Sequence, residues 1–362
     1  MSIIIFILIL AVLIVVHEYG HFIVAKKWGI RVDEFGLGYP PRAKVLFKRK
    51  GTLFTLNWIP FGGFVKIFGE DPNDESLNGE NRSVALTSKS RFAQATVMFA
   101  GPFFNFLFAW IIILATLFIG LPSAVDFKNE EYISDVKTVI TEVVKDSPAE
   151  ESQIMVGDAI QNVEFEGVEY PSLSDVDFSQ STSENKVLNL TLKRGEETLE
   201  KEVSIGDYMV NDKPGIGVGL QVVGIYNPPF FKAITESFKV TGQMIYQITF
   251  GLGSLVVDSF RGQADVSNLT GPVGIVSLVG DASSLGIVYL LMFIALISVN
   301  LGVINLIPFP ALDGGRILFL VIEKIKGGPI SHKISNTLNS IGFLILITLM
   351  LFITFKDIVR LF

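Results

Sequence analysis

Val16-His17-Glu18-Tyr19-Gly20-His21 closes an apolar run that begins at Ile3. The stretch has the form H-E-x-x-H. Residues at i and i+4 lie one turn apart on one face of a helix, so the His17 and His21 imidazoles can converge on one ion. Zinc takes nitrogen ligands in tetrahedral geometry, and a catalytic site keeps one position for water. Glu18 follows the first histidine directly, where a general base for that water stands. The plain alternative is a pair of histidines that hydrogen-bond between helices, with Glu18 reaching for the interface. Two of the chain's three histidines fall in this motif, and ionisable groups inside a span are costly enough to be functional by default. The metal reading is therefore preferred.

Working outward, the composition is that of an integral membrane protein. Apolar residues make up 49 % of the 362, and 30 are Phe. Several runs can cross a bilayer, which takes about 20 apolar residues. With no cysteine, disulfides, iron–sulfur clusters and thiolate zinc sites are excluded. Any zinc, expected at one per chain, must use His and carboxylate. The net charge of −7 is unevenly spread: 12 basic against 7 acidic residues from Lys26 to Arg91, and 11 against 25 from Asp126 to Asp281. Basic loops stay cytoplasmic. The first loop and the short basic loop from Arg316 to Lys333 are then inside, and the acidic segment is outside. That arrangement needs four spans with both termini outside, and its acidity argues against nucleic acid as a partner. The first run lacks a basic leader region and a clear A-x-A site, so it is expected to stay as a permanent span.

The expected divisions are a first transmembrane helix over 1–27, a cytoplasmic loop over 28–91 and a second helix over 92–120. A soluble domain follows over 126–207, then an amphipathic membrane-surface segment and linker over 208–284. A third helix with its following loop covers 285–327, and a fourth helix covers 338–355. In the first loop, Ala43 to Lys48 and Leu53 to Trp58 alternate as strands do, and Gly62-Gly63 suggests a hairpin. Such an edge could hold an extended peptide by strand addition; a plain surface hairpin is the simpler reading. Asp71 to Lys89 reads as a polar loop. In the second span, Gly101-Pro102 loosens the backbone, and the amide of Asn105 needs a partner in lipid. Asn105 serves as helix glue or as a hydrogen-bonding group near the metal. In the soluble stretch, Ser147 caps a short helix with Pro148 at its first position, and Gly157-Asp158 turns into a strand. Pro228 to Phe260 is expected on the membrane surface, with a fifth span inside Val240 to Val257 as the rival. His332 falls in the last basic loop and is expected to be exposed.

After the third span the chain reads Asn305-Leu306-Ile307-Pro308-Phe309-Pro310-Ala311-Leu312-Asp313-Gly314-Gly315. A straight helix from Leu285 to Asp313 would run roughly 42 Å at 1.5 Å per residue, longer than the core. Pro308 and Pro310 cannot continue it. The chain can bend so that Asp313 returns to the depth of His17 and His21 and supplies a carboxylate ligand. The alternative, an ordinary Asp-Gly turn, is set aside because no other spare acid lies at that depth.

These residues together resemble the site-2 protease family of intramembrane zinc metalloproteases, bacterial RseP-type. The resemblance rests on His17-Glu18-Tyr19-Gly20-His21 with Asn305-x-x-Pro308-x-Pro310-x-Leu312-Asp313-Gly314. Gly62-Gly63, Gly101-Pro102-x-x-Asn105 and Gly271-Pro272-Val273-Gly274-Ile275 add to it. It covers nearly the whole chain and implies a polytopic α-helical membrane protein with a membrane-associated β-hairpin and one inserted PDZ domain. Ser147-Pro148-Ala149 and Gly157-Asp158-x-Ile160 fit that domain. Ser152-Gln153-Ile154 departs from the usual Ala-Gly-Leu, so the turn there must strain or change shape. The resemblance also implies regulated intramembrane proteolysis in the bacterial inner membrane. The substrates would be single-span proteins already trimmed on the outer side by another protease, among them anti-sigma factors and signal-peptide remnants. The hairpin at Gly62-Gly63 would guide them.

The chemistry expected is hydrolysis by a zinc metalloendopeptidase. His17, His21 and Asp313 hold the ion, and Glu18 is the base. Gly62, Gly63, Asn105, Asn305, Pro308 and Pro310 support the site or the substrate. The sequence does not choose whether Asn105 or Asn305 steadies the substrate. A scaffold with structural zinc would want four protein ligands, and a metal transporter would want acids along its spans. Neither pattern is present.

Overall fold

The computed structural model describes residues 2–70, 80–124, 130–178, 187–195, 197–205, 208–210, 213–263, 270–328 and 330–359. The chain divides into two compact units. One comprises Met1–Thr116 with Phe231–Phe362; the other is Leu117–Phe230.

In the first unit, helix α1 (Ser2–Lys27) carries the H-E-x-x-H motif and ends on Lys26 and Lys27. Those cations complement the carbonyl end of the helix. Strands β1 (Val32–Arg49) and β2 (Thr52–Ile67) pair antiparallel about Lys50-Gly51, both at positive φ. Gly62-Gly63 is therefore not the hairpin turn. It lies inside β2, where Gly62 takes a φ of +98°. Glu34 to Leu37 have partners on both edges, Gly63 to Lys66 on one and Leu53 to Leu56 on the other. The two halves of β2 thus flank the start of β1 instead of pairing with each other. Glu34 ties the sheet together, accepting from Arg42 at 2.5 and 3.1 Å and from the Thr55 hydroxyl at 2.7 Å. Of the polar loop expected over Asp71 to Lys89, 71–79 lie outside the described residues, and short 3-10 turns occupy Glu80–Val84 and Leu86–Ser88.

Helix α2 (Arg91–Ile119) has Pro102 inside it. Five further helices follow the second unit in the chain: α4 (Phe230–Phe260), α5 (Pro272–Leu285), α6 (Ile287–Leu306), α7 (Asp313–Lys326) and α8 (His332–Val359). His332 opens α8, and its side chain lies outside the described residues. Among the described residues five helices are long and apolar enough to cross a membrane: α1, α2, α4, α6 and α8. The expected spans fall on four of these. α4, expected on the surface, qualifies by length and composition with the lowest mean hydropathy of the five. Helix α5 packs on α1 through Ile275 and Val279 against Ile9 and Leu13.

The second unit holds β3 (Leu121–Ala124), β4 (Ile133–Val143), α3 (Pro148–Glu151), β5 (Ala159–Phe165), β6 (Val168–Tyr170), β7 (Val187–Arg194), β8 (Glu197–Ser204) and β11 (Val218–Tyr226). Its sheet runs β3-β11-β4-β5-β7-β8, with β6 on β5; a small ladder joins β9 (Met209–Val210) to β10 (Lys213–Pro214). This unit is wider than the expected 126–207 because β3 and β11 close the sheet on one side. The β11 stretch carries Gly219 and Gly224 and lacks a clear period-two pattern. Ile140, Leu188, Leu190, Leu192, Val203 and Ile205 form the buried core. Ser147 caps α3, its hydroxyl accepting from the Glu150 N–H, with Pro148 in the first turn. Gln153 takes the left-handed conformation, φ +58°, so the turn after α3 carries strain. Arg194 donates to the Gln153 carbonyl at 3.0 Å and to both oxygens of buried Asp158 at 2.7 Å.

Candidate metal centre

Two elements far apart in the chain meet at one point. His17 and His21 stand one turn apart on α1 and are both buried. Asp313 is the first residue of α7. Asp313 Oδ2 lies 3.1 Å from His17 Nε2 and 3.4 Å from His21 Nε2, and the two Nε2 atoms are 3.2 Å apart. The ligand atoms of the three residues all lie within 4.8 Å of one another, close enough to share an ion. Asp313 reaches this place because the chain from Ile307 to Leu312 leaves the helical path, with Ala311 at φ +76°. The Ala311 N–H donates to Asn339 on α8 at 3.1 Å, and Gly342 lies against the Pro310 carbonyl. The bend expected at Pro308 and Pro310 is thus present and pinned.

Helix α2 forms the wall behind the histidines. His21 Nδ1 donates to the Val97 carbonyl at 2.8 Å, on the turn where Pro102 interrupts the helix ladder. Asn105, fully buried, faces His17 Nδ1 at 3.1 Å. Between them is Gly101. A β-carbon there would stand 2.3 Å from His21 Nε2 and 2.7 Å from His17 Nε2. The glycine is what leaves the ligand face of both rings open. Gly20 does the same for the backbones: a β-carbon on it would meet the Ala100 carbonyl at 2.4 Å. Close helix approach through small residues is the usual means of packing helices in lipid.

A cavity of about 360 Å³ opens on this cluster, lined among others by Glu18, Tyr39, Gly63, Asn305, Asp313 and Arg316. Glu18 faces the same space as the ligands, one residue after His17. Gly63 lies beside it, with the Glu18 Cγ 3.7 Å from where a β-carbon would be. Gly62 instead accommodates the Tyr39 ring and does not line the cavity. Asn305 lines the cavity while donating to the Leu301 carbonyl at 2.9 Å. The two asparagines thus separate: Asn105 is behind a ligand, and Asn305 is on the open side. Pro308 and Pro310 shape the loop and do not line the cavity.

Arg316 and Glu70 form an ion pair on the cavity wall, and neither was expected in the site from sequence. Arg316 lies three residues after Asp313 and so on the same face of α7, which is a signal the spacing offers. Glu70 sits in the turn after β2 and gives no such signal. A larger cavity of about 630 Å³ adjoins, sharing Ile67, Glu70, Met98 and Arg316. It holds none of the three ligands, so size does not mark the site here.

The donor set is imidazole nitrogen and carboxylate oxygen, which suits zinc, and three protein ligands with a neighbouring carboxylate is the catalytic pattern. The fold and this cluster define a membrane-bound metalloprotease. The chain belongs to peptidase family M50, the site-2 proteases, whose family model matches residues 5–349. It is 36 % identical to a Clostridium perfringens chain that carries a zinc metalloprotease name, over 99 % of both. It is 31 % identical to the Escherichia coli K12 regulator of sigma-E protease RseP, and 29 % to the Haemophilus influenzae regulator of sigma E protease, each over 98 % of both chains.

Proposed function

We propose that this chain is a zinc endopeptidase that cuts single-span membrane proteins within the bilayer of a bacterial cytoplasmic membrane, after another protease has trimmed their outer part. Anti-sigma factors and signal-peptide remnants are the substrates that the family relationship suggests. The observation that carries the reading is the meeting of His17 and His21 from α1 with Asp313 from the start of α7, with Glu18 in the same cavity. His17, His21 and Asp313 would hold one zinc ion, which when bound acidifies water and polarises a carbonyl. Glu18 takes the proton released as water attacks and returns it to the leaving nitrogen. The edge of β2 from Gly63 to Ile67 pairs on one side only among the described residues, and Gly63 to Val65 line the cavity. An unwound substrate can add to that edge as a strand, which exposes the bond to be cut.

The same reading keeps four spans. Arg316 pairs with Glu70, and Arg91 lies 3.9 Å from Glu323, so α7 shares the side of the first loop, the basic inner side. Gly280 of α5 lies against Ser2, and the Gly274 N–H donates to Asp357 near the end of α8. Both contacts are at the outer ends of α1 and α8. Helix α5 is then entered from the outer side, packing down along α1 to Leu13, and the acidic unit before α4 lies on that side too, so α4 begins and ends on one side and does not cross. The outer unit, Leu117–Phe230, is read as one PDZ domain that excludes substrates with bulky outer parts.

The test is cleavage of a tagged single-span substrate by detergent-purified protein, parental beside Glu18→Gln, with metal measured in both. Zinc near one per chain in both, with cleavage only by the parental chain, is expected. Cleavage by Glu18→Gln at the parental rate removes Glu18 as the base. Folded protein without zinc removes the ligand assignment.

A further inference from the structure

Asn105 has an ambiguity that His21 lacks. His21 donates its Nδ1–H to a backbone carbonyl, so its Nε2 lone pair faces Asp313. The Nδ1 of His17 instead faces a side-chain amide, which can present a donor or an acceptor end. With the amide nitrogen toward the ring, as placed at 3.1 Å, Nδ1 is the acceptor. The ring proton then sits on Nε2 and is shared with Asp313 at 3.1 Å. With the amide oxygen toward the ring, Nδ1–H donates, and the Nε2 lone pair faces the point between His17, His21 and Asp313. A half-turn of the amide interchanges the two. It gives Oδ1, buried without a hydrogen-bond partner, the donor it lacks, with the NH2 group in its former place. Only the second orientation fits a cation at Nε2. A pure packing role is already served otherwise: the Asn105 backbone carbonyl accepts from Ser298 at 2.8 Å, while the side chain has no other hydrogen-bond partner among the described residues.

We propose that Asn105 is the positioning residue of His17: its Oδ1 holds the ring proton on Nδ1 and so keeps the ligand lone pair on Nε2. This rests on the metal reading above. An outer partner of this kind changes metal affinity by roughly 10–100-fold. An amide can hold either tautomer, a carboxylate only the ligating one, and an alkyl group neither.

The experiment is zinc affinity, by chelator competition on the full chain in detergent, for the parental protein, Asn105→Asp and Asn105→Leu. Asn105→Leu should bind about 10–100-fold more weakly, and Asn105→Asp as tightly as the parental chain or more so. Ring nitrogen NMR of the zinc-loaded parental chain, tractable with three histidines, should show His17 protonated at Nδ1. Parental affinity in Asn105→Leu overturns the proposal, as does Asn105→Asp as weak as Asn105→Leu, which is the packing outcome. If Asn105→Leu does not fold, Asn105→Asp decides alone: parental affinity or better supports the proposal, and a tenfold loss overturns it. A folded parental chain that binds no zinc at all overturns the metal reading itself and this inference with it.

Discussion

Asp158 in the second unit and Asp313 in the first are both buried or nearly so, and both are met by nitrogen groups from distant elements, yet they end differently. Asp158 is closed. Arg194 gives it two hydrogen bonds of 2.7 Å and Met155 N–H a third of 2.9 Å. Asp313 is open. Its partners are two imidazoles that can each present a lone pair, and a glycine keeps their ligand face clear. A structural cluster satisfies itself with groups of opposite charge. A functional one gathers donors of electron pairs that need something further between them.

The strongest way to break this contrast is Gly101→Ala. The added carbon would stand 2.3 Å from His21 Nε2, and the Val97 carbonyl and Asn105 limit how far either ring can retreat. Zinc content should fall from near one per chain to near zero, with cleavage lost, while Gly242→Ala on α4, with open space around it, leaves both unchanged. Metal analysis of the two variants decides; a loaded Gly101→Ala chain would show that the rings have room to spare.

Next in size is Arg194→Met, which leaves Asp158 buried and alone. Breaking a buried pair costs about 3–5 kcal/mol, but the Arg194 side chain is 33 % exposed, and solvent screening reduces this to roughly 1–2 kcal/mol. Hydrogen exchange of residues in β5 and β7 should report it, with zinc content unchanged. If zinc falls too, the two clusters are not independent.

The pH dependence follows from the same pair. Burial by itself would raise the Asp158 carboxyl; the Arg194 and Met155 hydrogen bonds outweigh it and hold it below the ordinary carboxylate range. A carboxyl depressed in the fold adds stability above its unfolded value, near 3.9, and loses it as the pH falls through the folded value. The second unit should therefore keep its exchange protection down to that range and lose it below. In Arg194→Met the loss should begin at higher pH. Identical acid profiles for the two proteins would detach Asp158 from the unit's acid stability.

What the sequence made legible divides along the same line. The His17–His21 pair and the return of Asp313 could be read because helix period and proline chemistry are local rules. The four strongest spans could be read because lipid imposes length. Residues that act through space were not legible. Gly101 looks like a loosening residue in sequence, and only the closeness of α1 and α2 shows that it clears the ligand face. Glu70 becomes a wall of the site by pairing with Arg316. The Gly62-Gly63 signal marked a real reversal in β2 but placed the hairpin turn wrongly, because β1 itself separates the two halves that the glycines were expected to join. Strand β11, which lies between β3 and β4, was missed for want of a period-two pattern.

The smallest effect concerns Gln153, which sits at φ +58°. A non-glycine residue in that conformation costs about 1 kcal/mol. Glycine removes the strain but loses more chain entropy on folding, by roughly 0.5 kcal/mol, so Gln153→Gly should stabilise the second unit by a few tenths of a kcal/mol. The Arg194 hydrogen bond to the Gln153 carbonyl survives the change, since the backbone supplies it. Ala311, at φ +76° beside Asp313, offers the matching substitution in the membrane unit. Its strain is set by the loop that delivers a ligand, so Ala311→Gly frees that loop while it relieves the strain. Zinc affinity should fall in Ala311→Gly and stay level in Gln153→Gly. Equal zinc affinity in both would mean that the Asn339 hydrogen bond and the Pro310 contact with Gly342 already hold Asp313 in place without help from the strained residue.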